Sequence, residues 1–221
     1  MKKYKLTNET IVHFGFTLYR IEALMDFSDV KAGDKGGFVQ SENNLSQLCN
    51  AWVYGNAKVY DNAKVYFDAK VCGDAEVYGD AEVYDNAEVY DNSEVCGNAK
   101  VYGNAKVYGN AKVYGDAEVY DNAFVCGYAE VYDNAFVCGN AEVRGDAKVY
   151  KNSDYIVFKN WWSSGRYFTW TRSNNMFKVG CFYGNGEELI KKAYADSEES
   201  GREYERVVRY VESILADELN K

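Results

Sequence analysis

The chain has 221 residues, 34 acidic against 25 basic side chains, a formal net charge of −9 and no proline. Its length suits one elongated domain with caps. The acidity lies mainly in residues 51–152 and disfavours direct binding to a phosphate backbone there, and no apolar run reaches the ~18 residues that would mark a membrane span. The opening Met1-Lys2-Lys3-Tyr4-Lys5 is basic, but polar Thr7-Asn8-Glu9-Thr10 comes next, where a secretory leader needs an apolar core. A cytoplasmic protein is the default expectation.

Residues 1–50 read as a cap. Phe16-Thr17-Leu18-Tyr19-Arg20-Ile21-Glu22-Ala23-Leu24 alternates like a strand, and Ala32-Gly33-Asp34-Lys35-Gly36-Gly37 is a turn-rich entry to the repeat region. His13, the only histidine, sits in the strand-like Ile11-Val12-His13-Phe14 and reads as structural rather than as a catalytic base.

Seventeen hexapeptides then run without a gap from Ala51 to Asn152. The first position is Ala except at Ser93, the third is always Val, the sixth is Asn or Asp except at Tyr128, and twelve of the fourth positions are Tyr. So strict a period means one unit stacked on itself. In Ala57-Lys58-Val59-Tyr60-Asp61-Asn62, alternation sends Ala57 and Val59 inward and Lys58 and Tyr60 outward. Gly, Asp and Asn then supply a corner. A chain that turns alike every six residues closes into coils that stack through parallel ladders: a parallel β-helix.

The second position counts the hexads per coil. It reads Lys at 58, 64 and 70, Glu at 76, 82, 88 and 94, and Lys at 100, 106 and 112. At a spacing of three hexads, nine of the ten pairs with both members charged are opposite, Glu76–Glu94 being the exception. Stacked opposite charges attract. Four hexads gives seven opposite of nine, so three is favoured and four stays open. Three hexads per coil predicts a triangular prism of nearly six coils, roughly 27 Å long at the strand spacing.

Three further features belong to the prism. It carries nine basic and seventeen acidic residues, a net of −8, so nucleic acid is not expected along it. Cys72, Cys96, Cys126 and Cys138 stand in the outward Tyr column. With three hexads per coil, Cys72 and Cys126 share a wall but lie three coils, about 14 Å, apart, beyond disulfide reach. Reduced thiols and an intracellular setting are therefore expected. Stacked outward phenols, joined by Phe124 and Phe136 in charged positions and by Tyr128 at a corner, present an aromatic surface of the kind that meets a partner.

The Val-x-x-x-Ala-x spacing over 51–152 resembles the hexapeptide repeat of left-handed parallel β-helix proteins. The upstream Gly36-Gly37-Phe38-Val39-Gln40-Ser41-Glu42-Asn43-Asn44-Leu45-Ser46-Gln47, running into Asn50-Ala51-Trp52-Val53-Tyr54, resembles the start of uncharacterised bacterial and phage YdcK-like hexapeptide proteins. The resemblance implies left-handed coils and transfers no activity. Acyltransferases of the class would imply a catalytic His between coils of neighbouring subunits, and carbonic-anhydrase-like members three His around a metal. The repeat has no His and no excursion loop to wall a substrate pocket.

Beyond Asn152 the pattern breaks. Asp154–Phe158, Arg166–Thr171 and Met176–Tyr183 read as three strands joined by turns at Ser163-Ser164-Gly165 and Ser173-Asn174-Asn175. A helix is expected over about 187–195, and a second from a capping box at Ser200-x-x-Glu203, with Tyr204, Val207, Val208, Val211, Ile214 and Leu215 as its apolar stripe. Residues 153–221 thus form a small α+β module. Trp161, Trp162, Arg166, Trp170, Arg172, Phe177 and Tyr183 gather the residue types that dominate binding hot spots and stack on bases. Gly184-Asn185-Gly186 opens a helix where an anion could sit, but Glu187 and Glu188 would repel it.

The fold expected is therefore mainly β: an N-terminal cap (1–50), a left-handed parallel β-helix (51–152) and a C-terminal α+β module (153–221). No Gly-x-Ser-x-Gly, P-loop, Cys-x-x-Cys or metal-ligand spacing occurs, so no catalytic residue, metal or cofactor is implied. A non-enzymatic binding or scaffold protein with a protein partner is expected, as a dimer or trimer through the prism walls, and by analogy with the phage proteins an inhibitor of a host factor. Its rivals are a degenerate acyltransferase-like enzyme and a nucleotide or single-strand nucleic-acid binder acting through the aromatic module.

Overall fold

A computed structural model describes residues 2–219. Within the repeat, the second and third positions of each hexad form a two-residue strand, as in Lys58–Val59 and Glu76–Val77. Every fifth position from Gly55 to Gly145 lies in the left-handed region, with φ between 56° and 77°. That is why Gly and Asp fill it: the corner needs a backbone that Gly adopts freely and Asp tolerates. Phe67, at φ 56°, is the aromatic exception. Gly73 shows a second constraint, because a Cβ there would meet the backbone nitrogen of Asp91 on the next coil at 2.9 Å.

The inward columns are sealed. Each Val of the repeat, and each Ala of the first position, has essentially no exposed surface. Ser93, the one polar member, gives its hydroxyl proton to the carbonyl of Tyr90 at 2.8 Å. Strands pair at a spacing of 18 residues (Lys58 with Glu76, Lys64 with Glu82, Lys70 with Glu88), so a coil is three hexads and the four-hexad option is excluded. Three parallel walls result. The wall that starts at Trp52 has six strands and the wall that starts at Lys64 has five. The wall that starts at Lys58 forms part of a nine-stranded sheet with three N-terminal strands. Charges alternate up the walls as the sequence suggested, with Lys58–Glu76 at 3.1 Å and Lys106–Glu88 at 2.9 Å. The like pair Glu76–Glu94 is relieved because the carboxylates turn apart, Glu76 to Lys58 and His13, Glu94 to Lys112.

The ladder has a polarity. Each second-position N–H donates to the next coil, as Lys58 N does to Ala75 O at 2.9 Å. The first coil is therefore left with free carbonyls and the last with free N–H groups, and an unpaired buried group costs about 1–3 kcal/mol. The caps answer each need once per wall. At the N-terminal end the donors are Lys3 Nζ to Ala51 O (2.7 Å), Phe38 N to Ala57 O (2.9 Å) and Asn44 Nδ2 to Ala63 O (2.9 Å). At the C-terminal end the acceptors are Asn152 Oδ1 for Phe136 N (2.9 Å), Thr169 Oγ1 for Glu142 N (2.9 Å) and Ser173 Oγ for Lys148 N (2.6 Å). Burial of the Lys3 ammonium pushes its pKa down to about 8.

The N-terminal cap is a hairpin, Tyr4–His13 with Phe16–Ala23, followed by Lys35–Val39, which pairs antiparallel with the hairpin and parallel with Lys58–Val59. Gly36 and Gly37 permit that junction, since a Cβ on either would lie 2.5 Å from a carbonyl oxygen of the first coil. Coil stacking begins before residue 51: Val39 sits on Val59 and Leu45 on Val65. These pairs are 20 residues apart rather than 18, because Cys49-Asn50 interrupts the count before the regular hexads start.

The C-terminal sheet has four antiparallel strands, not three: Tyr155–Lys159, Tyr167–Thr171, Met176–Val179 and Phe182–Gly184. The expected strand over 176–183 breaks at Gly180, whose φ of 53° turns the chain back on itself. Helix α1 spans Gly186–Asp196 and α2 spans Glu198–Leu219. Ser200 lies inside α2 and does not cap it; Ser197 Oγ accepts from Ser200 N at 3.1 Å instead. The two helices pack Leu189, Ile190, Ala193, Tyr204, Val208 and Val211 onto Phe168, Trp170 and Phe177 of the sheet. On the other face, Tyr155 and Val157 close the open end of the prism.

Candidate partner-binding surface

Along the rod, the outward tyrosines face away from the valine core but are not bare. Tyr66, Tyr84, Tyr102 and Tyr120 stack ring on ring at 4.9–5.0 Å up the Lys64 wall. Tyr90–Tyr108 and Tyr114–Tyr132 do the same on the other walls. Stacked pairs of this kind contribute about 0.5–1.5 kcal/mol each. Where the next coil carries Glu, the phenol donates to it: Tyr66 to Glu82 at 2.6 Å, Tyr102 to Glu118 at 2.8 Å and Tyr114 to Glu130 at 2.9 Å. Burial and these bonds raise the phenol pKa values, that of Tyr114 to about 12. Most ladder rings are half-buried, so much of the aromatic area expected to meet a partner is already occupied by the next ring.

The cysteines that interrupt these columns are free thiols. At Cys126 the column is bridged by Arg144, whose guanidinium donates to the Tyr108 hydroxyl at 3.3 Å. His13 Nε2 lies 2.9 Å from Glu76 Oε2, and its ring rests edge-on against Tyr60, tying the N-terminal hairpin to the rod. Burial alone would raise the Glu76 pKa, but the bonds from His13 and Lys58 outweigh it and leave the carboxyl below its ordinary value.

The aromatic and arginine residues of the C-terminal module separate into two groups. Trp170 and Phe177 are core: Trp170 has no exposed surface and its indole N–H donates to Asn175 Oδ1 at 2.9 Å. They offer no contact surface, which corrects their place among the candidates. Trp162 packs edge-on to Tyr204 at 4.8 Å. Arg172 donates to Ser153 O at 3.1 Å and stays near Asp154. Tyr183 lies over Gly145 and donates to Arg144 O at 3.1 Å, helping to seat the module on the rod.

Two residues remain outward on one loop. Trp161 is 71 % exposed, and Arg166 projects into solvent at the far end of the same loop, which Asn160 N closes by donating to Arg166 O at 2.8 Å. Arg166 and Phe124 share a groove of about 350 Å³ between module and rod, completed by Asn122, Asn140, Glu142 and Tyr167. Phe136 stands on the neighbouring wall and Tyr128, 70 % exposed, at another corner, so the structure does not gather all three rod candidates. Asn122 and Asn140 were hidden because they obey the repeat; only the docked module makes that corner differ from the others.

Elsewhere a trough of about 770 Å³ runs beside the N-terminal cap and is lined by polar groups including Gln40, Asn43, Asp61, Lys64 and Glu82. The helix start at Asn185 is filled by its own capping box: Asn185 Oδ1 accepts from Glu188 N and Glu188 Oε2 from Asn185 N, at 3.0 and 3.1 Å. Among the described residues no helix is long and apolar enough to cross a membrane. The sequence matches no protein-family model and no curated protein, so the resemblance to hexapeptide-repeat proteins rests on the repeat and its coils.

Proposed function

We propose that this is a non-enzymatic binding protein in which the β-helix is a spacer and the C-terminal module selects a protein partner. The observation that carries the reading is the loop 160–166. It holds Trp161 71 % exposed and Arg166 at a groove shared with Phe124, while Phe168, Trp170 and Phe177 serve the module's own core. An exposed Trp costs burial energy that a partner would recover, and Trp and Arg are the residue types most enriched at binding hot spots. Membership of the YdcK-like group, a cytoplasmic setting, a dimer or trimer through the prism walls, and inhibition of a host factor belong to the same reading.

The test is affinity capture from the cells of origin with the intact chain and with a Trp161→Ala/Arg166→Glu double variant. A protein retained by the first and lost by the second supports the reading; equal retention rejects it. Calorimetric titration with acetyl-CoA decides the acyltransferase alternative, which micromolar binding would establish. A gel shift of labelled single-stranded oligonucleotide that Trp161→Ala abolishes would establish the nucleic-acid alternative.

A further inference from the structure

The C-terminal module leaves backbone groups unanswered along one strand. Arg172 N donates to Asp154 O and Asn160 N to Arg166 O, both at 2.8 Å. In an antiparallel pair, hydrogen-bonded and non-bonded positions alternate. The register of the two strands (Tyr155 with Thr171, Val157 with Thr169, Lys159 with Tyr167) then fixes which way each peptide points. Ile156 and Phe158 bond inward to the neighbouring strand. Tyr155, Val157 and Lys159 aim their N–H groups away from the sheet, with the carbonyls of Tyr155 and Val157 beside them.

Nothing among the described residues receives those N–H groups, and the strand is the outermost in its sheet. The central strand Tyr167–Thr171 is buried along most of its length, whereas Tyr155–Phe158 is half-buried and Lys159 exposed. This differs from the rod, where both ends of every wall receive cap hydrogen bonds. An unpaired edge is a template for another strand.

Charge indicates the kind of strand. Lys151 precedes the edge and Lys159 ends it, both exposed. Each ammonium rests only over a tyrosine ring, Tyr150 at 5.3 Å and Tyr167 at 5.8 Å, with no carboxylate partner among the described residues. In a chain of net charge −9, two unpaired cations bracketing an open edge favour an acidic incoming segment.

We propose that the edge of Tyr155–Lys159 binds an extended segment of a partner protein by strand addition, the segment carrying acidic residues at its ends. The proposal rests on the reading of the chain as a binding protein, and it supplies the main-chain contacts that the loop 160–166 would supplement.

A fluorescein-labelled peptide of alternating valine and threonine with a glutamate at each end is the probe, followed by fluorescence anisotropy with the full chain. Saturable binding is expected. Val157→Pro removes an N–H that no internal bond uses, and proline is tolerated on the outer side of an edge strand; it should weaken binding about tenfold, which corresponds to ~1.4 kcal/mol. Val157→Ala keeps the N–H and should bind like the parent, and circular dichroism with tryptophan fluorescence confirms that both variants fold. Lys159→Glu should weaken binding several-fold, and a peptide ending in lysines should bind less well than the acidic one. Absence of saturable binding, equal binding by Val157→Pro, or sedimentation showing the edge paired with a second copy would overturn the proposal. Trp161→Ala separates the two readings: peptide binding that survives it leaves the edge standing even where partner capture does not depend on the loop.

Discussion

The rod and the C-terminal module solve the same backbone problem differently. In the rod, one hexad repeated seventeen times leaves every strand paired above and below, and the two ends are closed by cap donors and acceptors one wall at a time. Its outward tyrosines and charges are also largely answered by the next coil. The module is built from unlike strands and two helices, and it keeps an exposed Trp, a groove and a half-buried edge. Uniform stacking leaves few unsatisfied groups; irregularity is where recognition has room.

That contrast can be broken by mutation, most severely in the rod. Val101→Asp places an unpaired charge in the sealed column of the Lys64 wall, where Val101 is fully buried. The expected loss is on the order of 4 kcal/mol in denaturant unfolding, whereas Trp161→Ala should change stability by less than about 0.5 kcal/mol. An equal effect of the two would erase the distinction between structural and recognition regions. Gly73→Ala comes next: the left-handed corner and the 2.9 Å approach to Asp91 should together cost about 2 kcal/mol or more in the same assay.

Cap changes are smaller. Thr169→Val keeps the shape but removes the acceptor for Glu142 N, and about 1–2 kcal/mol of stability should go with it. A Thr169→Ser variant, which restores the hydroxyl, should recover most of it.

The smallest effect is in pH. Lys3 has its pKa lowered from 10.5 to about 8, so between those values the unfolded chain holds the extra proton and raising pH favours the folded state. Tyr114, raised from 10.0 to about 12, contributes stability in full below pH 10 that is lost as pH climbs through 12. The thermal midpoint should therefore creep up from neutrality toward pH 9, where the raised thiols of Cys72 and Cys96 begin to oppose the rise, and fall beyond pH 10. Lys3→Met should flatten the rise and leave the fall, as measured by scanning calorimetry across that range.

Much of the rod was legible in the sequence because its information is periodic. Val and Ala inside and Gly and Asp at the corners come from repetition, and the charge alternation at 58–148 favoured three hexads per coil while leaving four open until the 18-residue strand register excluded it. The limits lay where the period fails. The two-residue interruption at Cys49-Asn50 hid the extra stacking of Val39 and Leu45, and Gly180 split what read as one strand. Nothing in the order Trp161, Trp162, Trp170 says which ring is outside, since a short hairpin buries a ring according to which helix covers it. The groove that joins Arg166 to Phe124 depends on how the module seats on the last coil, a tertiary fact with no local signature.

Residue-resolved amide hydrogen exchange tests the contrast most directly. Slow exchange is predicted at second and fourth hexad positions throughout the rod, at the capped Phe136, Glu142 and Lys148, and at Ile156 and Phe158, with fast exchange at Tyr155, Val157 and Lys159. Protection of Val157 equal to that of Ile156 would show the edge already covered and contradict the account.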